Sequence, residues 1–209
     1  CAFRPWQSPS AVLQPAVVTS TMTAILAKHG FFRAAWAGHS YGTSWLSYMC
    51  KYAPDSVAAL LFLDPICFKL HFPRLTKSFV YTRPDPGTIS YLARTDTMIN
   101  WTVQRSFPWS WIDLFVEQID VPCSIYMSEN DGLVPVAKVT DYLKSKDVPI
   151  RIFEREMPDE FDSSFINCTI FPDHIHGDWT DKTTTTVPDI AHTMEVLCVQ
   201  ADSFHVKSQ

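Results

Sequence analysis

The tightest constraint on this chain is one pentapeptide, Gly38-His39-Ser40-Tyr41-Gly42. It stands between the apolar run FFRAAWA (31–37) and the helical pattern TSWLSYMCKYA (43–53). Strand, sharp turn and helix in that order describe a nucleophile elbow, which holds a serine proud of the sheet edge in a strained backbone. Strand and helix nearly touch two residues either side of the serine, so a side chain at 38 or at 42 is expected to clash. Ser40 also falls at the start of a helix, where N–H groups and the helix dipole favour a developing negative charge. The Tyr41 N–H is the expected first oxyanion donor. The same five letters on an ordinary surface turn would carry no chemistry; the strand before and the helix after supply the context the motif needs.

A serine hydroxyl is a poor nucleophile near neutral pH. It needs a base in contact, and the base needs an acid that fixes its tautomer and stabilises its charged form. Asp131, in SENDGLVP just past an expected strand over Val121–Met127, is the candidate acid, although an Asp-Gly pair also simply makes turns. Glu129 could substitute. Asp64, which ends another expected strand, Val57–Leu63, is a further candidate for the acid, although Asp-Pro there more often just stops the strand. The candidate base lies in Asp173-His174-Ile175-His176-Gly177-Asp178-Trp179. His176 is preferred, because a small residue and then an aromatic follow it, as in HGDW, and His174 is the alternative. His39, beside the nucleophile, is expected to be structural, and His29, His71, His192 and His205 have no motif around them.

Taken together in chain order, AGHSYG, LLFLDP, SENDGLVP and HGDW resemble the α/β-hydrolase family, from about Phe31 to Trp179 with a divergent middle. The resemblance implies a mostly parallel sheet flanked by helices, with Ser40, Asp131 and His176 converging at its C-terminal edge. It implies a serine hydrolase or acyltransferase that works on ester-like carbonyls through an acyl-enzyme, without a cofactor or metal. Serine at the elbow argues against epoxide hydrolases and dehalogenases, whose nucleophile there is aspartate. Family members place several strands, and a loop giving the second oxyanion donor, ahead of the elbow. Nothing before Phe31 reads as such a strand, so the N-terminal part of the domain is expected to be missing and the chain to be a weak catalyst. The competing class is a non-catalytic α/β-hydrolase-like protein.

The rest of the chain is read as one domain, 1–209. Val18, Met22, Ile25 and Leu26 recur at helical spacing, and Lys28-His29-Gly30 closes that helix. FFRAAWA suits a buried parallel strand. Residues 66–115 are dense in aromatics and prolines without a strand period, and are expected to form a helical cap over an apolar substrate pocket. Pro135 opens a helix carrying Val136, Val139 and Leu143, and Val148–Phe153 is a further strand. Glu154–Pro172 reads as polar and irregular, Thr183–Thr186 as a flexible run, and Ile190, Met194, Leu197, Cys198 and Ala201 mark a closing helix.

Charge and cysteine usage narrow the partners. The 209 residues carry a net charge of -5 and no Lys/Arg block, so nucleic acid is not an expected partner. The small-molecule substrate is expected to be apolar and ester-like. Six cysteines include no CxxC pair, which argues against zinc and for buried thiols. Two sequons, at Asn100 and Asn167, would matter only in a secretory lumen. No run approaches the roughly 18 apolar residues of a membrane span, and the start does not read as a signal peptide, which slightly favours the cytoplasm.

Overall fold

A five-stranded, all-parallel sheet organises the chain. The computed structural model describes residues 13–82, 84, 86, 91, 94–154, 164–180 and 186–207. In chain order the elements are α1 (Pro15–Lys28), β1 (Ala34–His39), α2 (Gly42–Tyr52), β2 (Val57–Leu63), α3 (Pro73–Tyr81), α4 (Thr97–Ser106) and α5 (Trp109–Ile112). They continue with β3 (Cys123–Ser128), α6 (Val136–Lys144), β4 (Ile150–Ile152), β5 (Ile166–Phe171) and α7 (Thr186–Lys207). The strands lie in the order β1-β2-β3-β5-β4. Every pairing between neighbours is parallel.

The unbroken apolar run of β2 follows from its position near the centre of this sheet, covered on both faces. Leu60 and Phe62 point to one side, where they join Cys123, Ile125 and Met127 of β3 and Leu46 and Met49 of α2. Ala59, Leu61 and Leu63 point to the other, against Tyr126, Phe171 and the α7 residues Leu197 and Ala201. Each such leucine or phenylalanine taken out of water contributes roughly 1.5–3 kcal/mol. Helix starts and stops follow local chemistry. Pro15 opens α1 and the left-handed Gly30 (φ 80°) lies just beyond its end. Pro54 ends α2 by starting a 3-10 turn at Pro54–Ser56.

Several expectations change. β1 was expected to be buried, yet among the described residues it pairs only with β2 and stands at the sheet edge, half-exposed. Phe31 and Phe32 precede the strand and are exposed. Glu154–Pro172 is not irregular throughout: Ile166–Phe171 inserts as β5 between β3 and β4. Residues 155–163 of that stretch and 183–185 of the threonine run lie outside the described residues, and Thr186 already belongs to α7. Cys67, Cys123 and Cys168 are buried, but Cys198 is exposed on α7 and Cys50 is half-buried. Asn167 of the second sequon is buried in β5. No helix among the described residues is long and apolar enough to cross a membrane.

Candidate active site

The carboxyl ends of the strands collect the polar side chains, as open parallel sheets do. Ser40 follows β1, Asp64 follows β2, Asp131 lies three residues past β3, and His176 lies in the turn after β5. Ser40 has φ 50°, a left-handed conformation that costs a non-glycine residue roughly 1–2 kcal/mol. The strain is held by hydrogen bonds on both sides: the Ser40 N–H donates to the Leu63 carbonyl at 3.0 Å, and its own carbonyl accepts from Thr43 N–H at 3.0 Å and Thr43 Oγ1 at 2.6 Å.

The two glycines of the elbow differ. A Cβ on Gly38 would sit 2.9 Å from Leu46 Cδ1 and 3.1 Å from the Gly42 carbonyl carbon, so strand and helix do touch there. A Cβ on Gly42 would meet nothing within 4 Å, so the expected clash at 42 is absent. Gly42 is already the first residue of α2.

Three side chains form one hydrogen-bonded line. His176 Nε2 is 2.8 Å from Ser40 Oγ, and His176 Nδ1 is 2.6 Å from Asp131 Oδ2. An ionised carboxylate only accepts, so Nδ1 carries the proton and Nε2 is left to accept from the serine hydroxyl. Asp131 Oδ1 takes the N–H groups of Leu133 and Val134 at 2.7 and 2.9 Å, which fixes the carboxylate at the mouth of α6. The side chain of Asp131 is fully buried, and that of His176 is 19% exposed. Burial works against the charged imidazole. The hydrogen bond and charge of Asp131, with the charge of Asp64, outweigh it and hold the His176 pKa above its ordinary value.

The other candidates lie outside that line. His174 Nδ1 donates to the Pro172 carbonyl at 2.7 Å and its ring packs on Phe171, centroids 5.4 Å apart. Glu129 accepts the Asp173 N–H at 3.1 Å and so tethers the histidine loop. Asp64 is buried at 2% exposure and accepts N–H groups from Ser128 (2.9 Å) and Gly177 (2.8 Å). Burial alone would raise its pKa. His39 nearby, those two N–H donors and the charge of His176 pull it below the ordinary aspartate value. His39 Nε2 stands 3.7 Å from Asp64 Oδ2, an electrostatic rather than a hydrogen-bonding distance. The His39 ring packs between His176 and Trp179, at 5.1 and 5.4 Å between centroids.

Asp64, Asp131 and His176 each offer one ligand atom within 4.8 Å of the others. Those atoms are committed to hydrogen bonds with Gly177, Ser128, Ser40, Leu133, Val134 and each other, so a cation would have to break the network it entered.

Beside Ser40 opens a cavity of about 210 Å³. Among its lining residues are Ser40 and Tyr41, Leu75 and Phe79 of α3, Ile99 and Val103 of α4, and Phe107. Among the described aromatics of 66–115, Phe79 and Phe107 line it; Phe68 is buried against Phe62, while Tyr81, Trp101, Trp109 and Phe115 are exposed. Sequence reasoning did not single out the aliphatic lining residues, which carry no signal beyond helical spacing.

No protein-family model matches the chain, and no curated protein matches it by sequence. Solved structures do match its fold. A Burkholderia cenocepacia protein described as an aryl esterase superposes with a TM-score of 0.55 at 14% identity, over 90% of this chain and 72% of that one. The pyrethroid hydrolase PytH gives 0.54 at 13% identity, over 91% and 81%. A proline iminopeptidase from Mycobacterium smegmatis gives 0.52 at 13% identity, over 96% and 76%. The fold, a parallel five-stranded sheet flanked by helices, is that of the α/β-hydrolases.

Proposed function

We propose that this chain is a serine ester hydrolase with Ser40 as nucleophile, His176 as general base and Asp131 as its acid. The observation that carries the reading is the continuous line Asp131 Oδ2–His176 Nδ1, His176 Nε2–Ser40 Oγ, at 2.6 and 2.8 Å. In this mechanism Ser40 Oγ attacks the ester carbonyl while its proton passes to His176 Nε2. The imidazolium so formed is stabilised by Asp131. The carbonyl oxygen becomes an oxyanion at the start of α2, and the Tyr41 N–H is the donor this reading assigns to it. Collapse of the intermediate breaks the ester C–O bond, and His176 returns the proton to the departing alcohol. Water then attacks the acyl-enzyme by the same route, freeing the acid and regenerating Ser40.

The cavity wall built by α3 and α4 acts as a cap over Ser40, and its apolar lining selects an apolar acyl or alcohol group. At about 210 Å³ it falls below the roughly 300–1,000 Å³ of sites for drug-sized ligands, which favours short chains or one small ring. Structures of similar fold described as an aryl esterase and a pyrethroid hydrolase support the same class. The test is hydrolysis of p-nitrophenyl butyrate together with labelling by a fluorophosphonate probe. Ser40-dependent turnover and labelling are expected; a folded protein with neither would be a non-catalytic relative of the fold.

A further inference from the structure

Asp64 sits where three parts of the site meet. Its Oδ1 accepts the N–H of Ser128, the last residue of β3, at 2.9 Å. Its Oδ2 accepts the N–H of Gly177, the residue directly after His176, at 2.8 Å. The same oxygen faces His39, the last residue of β1, at 3.7 Å. Asp64 is 2% exposed, and its backbone is left-handed at φ 43°, a conformation that persists only where the surroundings over-determine it. A proline-stopped strand end needs neither a buried charge nor this backbone.

The histidine loop must hold one imidazole within hydrogen-bond reach of two partners at once. On the N-terminal side of His176 it is tied to the acid loop, by Asn130 N–H to the His174 carbonyl at 2.8 Å and by Asp173 N–H to Glu129 at 3.1 Å. Both ties lie two or three residues from the ring. On the C-terminal side the first tie to the sheet is Gly177 N–H to Asp64, one residue away. Gly177 has φ 89°, and its Cα faces the His39 ring, so the loop turns there in a way only glycine takes readily.

We propose that Asp64 is a positioning residue for the general base: its two oxygens lock the histidine loop, through Gly177, to strand β3, through Ser128, and so hold His176 between Ser40 and Asp131. The role rests on the reading of His176 as base. It differs from that of a triad acid, since no hydrogen bond joins Asp64 to the imidazole. Asp64 also adds a second negative charge near the ring. The titratable groups facing His176 are Asp131 from the loop after β3, Asp64 from the end of β2 and His39 from the end of β1. Removing the Asp64 charge therefore makes the imidazolium less favourable.

The experiment compares wild type, Asp64→Asn and Ser40→Ala. Imidazole NMR follows the His176 titration, amide hydrogen exchange follows Gly177, and p-nitrophenyl butyrate follows turnover. In Asp64→Asn we expect a lower His176 midpoint, Gly177 exchange faster by at least about tenfold, and kcat lower by about 10- to 100-fold with KM little changed. A residue that only stabilised the fold would lower Tm and leave the His176 midpoint in place; that result, with Gly177 protection intact, overturns the proposal. If Asp64→Asn does not fold, wild type decides: the Gly177 amide must exchange at least about tenfold slower than an unstructured glycine at neutral pH, and an unprotected amide overturns the proposal. Hydrolysis that survives Ser40→Ala would instead overturn the triad reading, and titration and exchange would still decide whether Asp64 holds His176.

Discussion

Ser40 and Asp64 end neighbouring strands at matching register, and both take a left-handed backbone, φ 50° and 43°. The Ser40 N–H closes the pair on the Leu63 carbonyl at 3.0 Å. Both strand ends turn sharply, at a cost of roughly 1–2 kcal/mol each. The turn at Ser40 presents a hydroxyl to His176, and the turn at Asp64 presents a carboxylate to the loop that carries His176. Removing the hydroxyl should then end catalysis without disturbing the fold. Ser40→Ala is expected to lower p-nitrophenyl butyrate turnover by at least about 10³-fold and to abolish fluorophosphonate labelling. The melting temperature, measured alongside, should stay within a few degrees of wild type.

The base should titrate high. Only the neutral imidazole can take the serine proton, so activity falls as pH drops through the His176 pKa. Burial disfavours its charged form, but Asp131 and Asp64 together hold that pKa above the ordinary value of about 6.5. The acid limb of kcat/KM should accordingly have its midpoint above that value. Linkage gives opposite signs for the two groups. The stability contributed by His176 is complete below its unfolded pKa and is lost as pH rises through the raised folded one. That contributed by Asp64 is present above its unfolded pKa and is lost as pH falls through the depressed folded one. A midpoint at or below the ordinary histidine value would contradict this charge balance.

The elbow glycines should respond differently to the same substitution. Gly38→Ala places a Cβ 2.9 Å from a Leu46 side chain and 3.1 Å from backbone at Gly42, and the backbone contact cannot yield by a rotamer change. Overpacking of this kind costs about 1–3 kcal/mol and should also shift Ser40 from His176. Gly42→Ala meets nothing within 4 Å at the first turn of α2, and should gain up to about 1 kcal/mol of helix propensity. Urea titrations of both variants, with turnover, would check the contrast. Equal destabilisation would mean that the helix start is as crowded as the strand end.

What the sequence disclosed tracks how local the cause is. The β2 run Val57–Leu63 is apolar at every position because both its faces are covered, and its bounds match the observed strand. The elbow was legible because strand, turn and helix are contiguous. β5 was not, because Asn167 and Thr169 make Ile166–Phe171 read as polar. Thr169 is tolerated there because its hydroxyl accepts from Arg151 Nε on β4, 18 residues away. Asp64 read as a strand stop because its partners, Ser128 and Gly177, lie 64 and 113 residues further on. The residues that follow His176 favour it over His174; that His174 Nδ1 is taken up by the Pro172 carbonyl is something no side-chain pattern reveals.

The cavity beside Ser40 should set the substrate size. Val103 of α4 lines it together with Leu75, Phe79 and Ile99, beside Ser40 and Tyr41, and the cavity holds about 210 Å³. Val103→Phe adds a ring to a space that small and leaves less room for an acyl chain. A methylene that loses its apolar contact costs about 1–3 kcal/mol of transition-state binding. Butyrate, with two methylenes more than acetate, should thus lose at least about tenfold in kcat/KM relative to acetate in this variant. Phe79→Ala should act the other way, since removing a lining ring enlarges the space, and the ratio of hexanoate to acetate turnover should rise. The comparison is made within each variant, so a general loss of stability cancels from the ratio. Unchanged acetate-to-butyrate and acetate-to-hexanoate ratios in both variants would mean that the substrate does not enter this cavity, and that the specificity of the site lies elsewhere on its rim.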